Sequence, residues 1–440
     1  MRRLFPKLIA AAVTAAAMLM LSAPAGAQSN PRYIQLAGAS GTTKAALYTP
    51  DSGMPPHVAV IVIHRTANYL SHIATRELPK RGIMVLGMNP RSDNNESQVS
   101  FETNALDIKA GVQFLRSQPG ITKVLLLGHS GGGPASTFYA AVAENGVGYC
   151  QGANKLVQCP NTLAGLPKID GLITADGHPG VGINELRSLN PAVQDEANPA
   201  HGYERRLDPF NPANGYNPKG PSSYSAQFKT EYFAGQARRM NALIDLAQAR
   251  QAAIAAGTSL YTDDEPFIVV KGDDARLLQL DPSIHHSTLQ PQKLLKNDGS
   301  IVTQIVQSVR PAQPELKAGN ATLSAGTLFL TTKSFLSANA VRARDAMDDI
   351  DFCSTNNSSN CALQNVTVPL MIFAMGGHYF IRDNEQIFQN ARSPDKDFIV
   401  IEGATHGLGE CTACETVPGQ YANATKNLFD QMTKWINARF

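Results

Sequence analysis

A serine at a glycine-flanked corner is the first residue in this chain that could do covalent chemistry. In "VLLLGHSGGGPASTFYAA" (124–141) an apolar run halts at Gly128-His129-Ser130-Gly131-Gly132 and restarts as small residues at helical spacing. G-x-S-x-G in that setting is the pattern of a strand that turns sharply into a helix with a serine at the corner. Such a turn needs small residues two before and two after the serine. It lifts the hydroxyl clear of the sheet and leaves the helix N-terminal N–H groups facing a developing oxyanion. A phosphate-cradling loop would carry a Lys followed by Ser or Thr, and neither is present. Ser130 is therefore expected as a nucleophile, against the plainer reading of a glycine-rich packing turn.

A serine hydroxyl attacks only with a base within hydrogen-bond reach. Among ten histidines, His406 in "VIEGATHG" stands just beyond the last apolar strand run, where a loop can fold back over Ser130. The order serine, then histidine, with a strand between them, matches one known arrangement of such sites. His178, and His378 with Tyr379 beside it, could line the mouth of the site and touch substrate, or could be loop residues of no special role. No HExxH or other close ligand spacing occurs, so neither a metal nor a cofactor is expected.

Alternating strands and helices must position these groups. "HVAVIVIH" (57–64) and "GIMVLGMNP" (82–90) are continuous aliphatic runs, as in strands covered on both faces. "FETNALDIKAGVQFLRSQPG" (101–120) has helical spacing and stops at Pro119-Gly120. "KVLLLGHS" (123–130) and "KIDGLITADGHPG" (168–180) supply two more strands, and the repetition implies a mostly parallel sheet with helices on both faces, an α/β fold. From about 181 to 366 the pattern breaks into Asn-, Pro-, Gly- and Tyr-rich sequence with one long helical stretch (226–257) and a hairpin signal at Asn297-Asp298-Gly299. This reads as an inserted cap, with Tyr203, Tyr216, Tyr224 and Tyr232 either roofing a pocket or packing the cap itself. The sheet pattern resumes in "TVPLMIFAMGG" (367–377) and "DKDFIVIEGATHG" (395–407), and a final helix closes the chain.

The 440 residues are 43% hydrophobic and 17% charged, enough to bury a large core and far from a disordered composition. Arg2, Arg3 and Lys7 precede an Ala/Leu/Met-rich stretch that ends at Ala25-Gly26-Ala27, the form of a secretory signal cleaved after Ala27. Arg2-Arg3-Leu4-Phe5 also resembles a twin-arginine start. Removal of those three basic residues turns the formal net charge of +2 into −1, so neither nucleic acid nor an anionic membrane is an expected partner, and no membrane insertion is expected after cleavage. The expected divisions are 1–27 as signal, 28–180 and 367–440 as the two parts of the core, and 181–366 as the cap. In a periplasmic or secreted protein the six cysteines can pair locally, as Cys150–Cys159, Cys353–Cys361 and Cys411–Cys414.

On its nucleophile corner and downstream histidine, the chain resembles the α/β-hydrolase superfamily over about 28–180 and 367–440. The resemblance implies Ser130 as nucleophile, His406 as base and the backbone N–H of Gly131 as an oxyanion donor. It puts the second donor in the loop after the third strand, here His64-Arg65-Thr66, so at Arg65 or Thr66. The family's usual acid position, past the strand at 368–375, holds His378 instead. Asp176, at the end of the preceding strand, is the preferred acid, with Asp383 and then Glu385 as alternatives. The implied activity is hydrolysis of a small-molecule or polymeric carboxylic ester, partly apolar or aromatic, through an acyl-enzyme. Amide or peptide cleavage and carbon–carbon cleavage of a β-diketone use the same groups, and a non-catalytic binding protein on this scaffold is the contrasting class.

Overall fold

The computed structural model describes residues 31–50, 55–198, 201–270, 276–316 and 326–440; the expected signal segment, 1–27, lies outside them. In chain order the strands are β1 (Arg32–Ile34), β2 (Lys44–Tyr48), β3 (Val58–Ile63), β4 (Met84–Asn89), β5 (Lys123–His129) and β6 (Gly171–Ala175), then β7 (Pro266–Val270), β8 (Gln292–Leu295), β9 (Ile301–Gln304), β10 (Thr327–Thr331), β11 (Leu370–Met375) and β12 (Lys396–Ile401). The helices of eight or more residues are α1 (Phe101–Arg116), α2 (Gly132–Asn145), α3 (Val181–Ser188), α4 (Ala226–Ala255), α5 (Ile381–Asn390) and α6 (Ala424–Asn437).

A ten-stranded sheet runs β1-β2-β4-β3-β5-β6-β11-β12-β8-β9. Neighbours from β4 to β8 pair in parallel, while β1, β2 and β9 run antiparallel to theirs. The continuous apolar runs follow from burial on both faces. Along β3, Ala59, Ile61 and Ile63 join the core under α1 and α2, while Val58, Val60 and Val62 join the core under α6 with Leu428, Phe429 and Trp435. The same period of two splits β5, with Val124 and Leu126 to one side and Leu125 and Leu127 to the other. The antiparallel β2 crossing beside β4, the parallel centre and the serine turn after β5 define this as an α/β-hydrolase fold.

The insertion divides in two. Its hairpin, β8 and β9 around Asn297-Asp298-Gly299, does not cap the sheet but extends it, with Ile399, Val400 and Ile401 of β12 in parallel register with Lys293, Leu294 and Leu295. The remainder forms a separate apolar core in which Tyr232, Phe233, Met240 and Leu243 of α4 meet Phe267, Phe335 and, from the sheet side, Tyr379 and Phe380. Helix α4 starts where the Ser225 side chain accepts the Phe228 N–H at 3.1 Å, a standard N-cap.

One buried ion pair ties cap to sheet. Arg187 of α3 donates to both oxygens of Asp383 on α5 at 2.9 and 3.0 Å, and its Nε donates to the Ala346 carbonyl at 3.0 Å. Both side chains are at most 5% exposed. Breaking such a pair strands a charge in the interior, so Asp383→Ala is expected to cost about 3–5 kcal/mol, read as a lower urea midpoint. Arg187→Met with Asp383→Leu, which removes both charges, is expected to recover most of that loss.

Candidate active site

Ser130 sits between β5 and α2 with φ +56°, left-handed backbone that a non-glycine residue adopts only under constraint. The flanking glycines are imposed by close backbone approach. A Cβ on Gly128 would lie 2.7 Å from the Gly133 Cα, and one on Gly132 would lie 2.1 Å from the Ile63 carbonyl oxygen. The corner can therefore press against the end of β3 only without side chains at those two positions.

His406 is carried on a closed loop after β12. The Thr405 N–H donates to the Gly409 carbonyl and the Cys411 N–H to the Gly403 carbonyl, both at 2.8 Å, and the Cys411–Cys414 disulfide follows directly. Its Nε2 lies 2.9 Å from Ser130 Oγ and its Nδ1 2.6 Å from Asp176 Oδ2. Asp176 ends β6 with φ +47° and no solvent exposure. Burial pushes its carboxyl up, but the imidazoles of His378 and His406 beside it outweigh burial and hold it far below the usual range. The Met375 N–H donates to Oδ1 at 3.3 Å. The acid is thus ionised, and its partner imidazole carries its proton on Nδ1, leaving the Nε2 lone pair for the Ser130 hydroxyl.

Around this chain stand further imidazoles that the sequence left without a role. The Ala74 N–H donates to His72 Nδ1 at 3.1 Å, so the His72 proton is on Nε2, 3.0 Å from His129 Nδ1. His129 then carries its own proton on Nε2 and donates it to the His406 carbonyl at 2.7 Å. The variable residue of G-x-S-x-G thereby holds the backbone of the base. His64 Nδ1 accepts the N–H groups of Thr66 and Ala67 at 3.0 and 2.7 Å, which fixes its proton on Nε2, close beside Gly131. His178 Nε2 lies 3.0 Å from Ser130 Oγ, on the hydroxyl that His406 also contacts.

The other expected site residues fall as follows. The Thr66 N–H is occupied by His64, and its hydroxyl donates to Glu96 at 2.6 Å, so Thr66 has no free donor for an oxyanion. Arg65 pairs with Glu96 while its stem lies against Gly131. Asp383 is taken by Arg187, and Glu385 accepts the Leu289 and Gln290 N–H groups at 2.6 and 2.9 Å, so neither contacts His406. His378, partly exposed, has its Nδ1 2.7 Å from Asp176 Oδ2 and its ring stacked on His406 at 4.5 Å, with the Tyr379 ring 4.1 Å from it. Tyr216, Tyr224 and Tyr232 are buried in the cap core, where the Tyr224 hydroxyl donates to the Pro209 carbonyl. All three expected disulfides are formed. Asp176, His378 and His406 are close enough to hold a cation, and both imidazole Nδ1 atoms lie against the same carboxylate oxygen.

No protein-family model matches this chain, and no curated protein does. Solved structures similar to it include DcsB in complex with its substrate analogue (11% identity, 93% of this chain and 99% of that one, TM-score 0.45). Est1E from Butyrivibrio proteoclasticus is similar at 12% identity over 93% of this chain and 100% of that one, TM-score 0.39. So is a soluble variant of monoglyceride lipase from Saccharomyces cerevisiae, with 12% identity, 94% and 97% coverage and TM-score 0.41. Likeness at this level says nothing of substrate; strand order and the serine turn of the chain itself define the fold.

Burial keeps these imidazoles neutral. It pushes His72 down to about 4, with Arg76 adding to it, and holds His64, His129 and His178 well below the ordinary 6.5. The unfolded chain takes up protons on them from about pH 6.5 downward and the folded chain does not. Stability is therefore whole above pH 6.5 and falls as pH drops toward 4, His72 alone accounting for a loss on the order of 3 kcal/mol by pH 4. Melting temperature is expected to decline from pH 7 to 4.5, and less steeply in His72→Gln.

Proposed function

We propose that this protein is a serine hydrolase that cleaves carboxylic esters through an acyl-enzyme. The observation that carries the reading is the unbroken hydrogen-bond chain from Asp176 through His406 to a serine held in left-handed backbone at a strand-to-helix turn. Ser130 Oγ attacks the ester carbonyl and its proton passes to His406 Nε2. The carbonyl oxygen takes the displaced electron pair, facing the N–H groups of Gly131 and Arg65. His406 returns the proton to the departing alkoxide, then activates a water that releases the acid and restores Ser130.

Phe380, buried with its ring 5.2 Å from His178 and 5.9 Å from His406, backs the two imidazoles with apolar surface. A partly apolar or aromatic ester is the substrate class this reading takes. The reading extends to an exported enzyme, periplasmic or secreted. Three disulfides support this, as does the signal-like N-terminal sequence. No helix among the described residues is long and apolar enough to cross a membrane.

A fluorophosphonate probe is expected to label the protein and to fail on Ser130→Ala; an unlabelled wild-type protein would overturn the hydrolase reading. On p-nitrophenyl esters of rising chain length, Asp176→Asn is expected to lower kcat by about 10⁴-fold, since the wrong tautomer of the base then faces the serine. Asp383→Asn is expected to stay within about tenfold, because its carboxylate serves Arg187 and not the base. Turnover of the matching anilides with none of the esters would point to amide cleavage instead.

A further inference from the structure

His178 stands on the nucleophile without a part in the proton path. Its Nε2 is 3.0 Å from Ser130 Oγ, which His406 Nε2 also contacts at 2.9 Å, and the two rings stack with centroids 5.8 Å apart. The placement is built in. The His178 N–H donates to the Ser130 carbonyl at 3.0 Å, and the Ser359 hydroxyl donates to the His178 carbonyl at 3.0 Å, so backbone bonds on both sides fix where the ring hangs. Phe380 packs on the ring face, and the side-chain amide of Asn184, one turn into α3, contacts Nδ1 at 3.0 Å.

Proton counting decides which way these bonds run. Asn184 presents its Nδ2, a donor, so His178 Nδ1 accepts, and the single proton of a neutral ring must be on Nε2. Burial, with the nearby positive charges of Arg65 and Arg276 adding to it, favours that neutral form. His406, in contrast, has committed its proton to Asp176 through Nδ1 and offers a lone pair to the serine. The Ser130 hydroxyl thus receives from His178 and gives its one proton to His406.

We propose that His178 is a further catalytic residue, a neutral N–H donor to Ser130 Oγ that orients the hydroxyl proton toward His406 and stabilises the oxygen while it carries alkoxide charge. The proposal rests on the serine hydrolase reading above. In the acylation step the Oγ–H bond breaks and its proton goes to His406 Nε2. An Oγ electron pair forms the bond to the carbonyl carbon, and the π pair moves to the carbonyl oxygen; that pair then returns, the bond to the alkoxide breaks, and the alkoxide takes the proton from His406. In deacylation a water that gives its proton to His406 adds to the acyl carbon, the C–Oγ bond breaks with its pair on Oγ, and Oγ takes that proton from His406. The His178 proton stays on Nε2 throughout, and its hydrogen bond is strongest whenever Oγ is most negative, so both steps benefit.

The shape of the side chain allows a clean substitution. Glutamine can bring an amide N–H to the position of a histidine Nε2, whereas leucine fills the space without a donor. His178→Leu is expected to lower kcat by about 10- to 100-fold on a p-nitrophenyl ester and to slow fluorophosphonate labelling by the same factor, with KM little changed. His178→Gln is expected to recover most of both. Asn184→Asp, whose carboxylate would draw the proton to Nδ1 and turn a bare Nε2 toward the serine, is expected to be as slow as the leucine variant. On the wild-type protein, the ¹⁵N spectrum of the imidazoles is expected to report His178 protonated on Nε2 at neutral pH, a readout that needs no variant to fold. A bare Nε2, or a folded His178→Leu labelling at the wild-type rate, would overturn the role of His178. Absence of any labelling in wild type would instead overturn the hydrolase reading.

Discussion

A carboxylate with no exposed surface is the constraint around which the site is arranged. Removing Asp176 from water carries a penalty that only donors can offset, and the Met375 N–H and His406 supply them from the ends of β11 and β12, with His378 Nδ1 a further 2.7 Å contact. Those two strands and β6, which ends at Asp176, are adjacent in the sheet. Strand order therefore decides which loops meet at the acid, and the loop after β12 is the one that reaches across it to the serine after β5. The left-handed backbone at both Asp176 and Ser130 is the local cost of aiming two side chains from parallel strands at one imidazole.

Every histidine in the inner ring has its tautomer fixed by what its other nitrogen touches. Backbone N–H groups occupy Nδ1 of His64 and His72, so each turns an N–H outward from Nε2. His129 passes that polarity on to the carbonyl of His406, whereas His406, with its Nδ1 on Asp176, turns a bare Nε2 to Ser130. In this cluster His406 and His378 are the rings set beside a charge, while His64, His72 and His129 act as neutral donors. Identical side chains thereby acquire opposite functions with no difference in covalent chemistry.

Much of this was legible from residue order. The aliphatic runs marked β3, β4, β5, β11 and β12 because burial on both faces leaves no polar alternation to confuse them. The serine corner announced itself because only glycine survives where Gly132 meets Ile63. Asp176 could be preferred because a strand end next to β11 can reach the loop of His406, and in the structure the two are 2.6 Å apart. What was not legible depends on contacts between segments distant in sequence. Thr66 could be offered as an oxyanion donor because nothing in "HRT" says that the ring of His64 will fold back onto its N–H. His178 lay only two residues beyond Asp176, and that shared strand end was the one available hint. The hairpin at Asn297-Asp298-Gly299 was recognisable as a hairpin, but its attachment to β12 needed the register of a strand about a hundred residues later.

That attachment changes what kind of cap this is. The Glu402 N–H donates to the Leu295 carbonyl at 3.0 Å, and Lys296 pairs with the Glu402 side chain, so the insertion is bonded to the strand that launches the loop of His406. In many modular proteins an inserted segment can be lengthened, swapped or lost while the scaffold keeps working. Here a replacement insertion would also have to supply an edge strand in the right register, or the strand behind the base would lose its neighbour. Diversification of the cap and integrity of the proton acceptor are coupled through one strand pairing, which narrows the evolutionary routes open to this chain to changes on the far side of the hairpin.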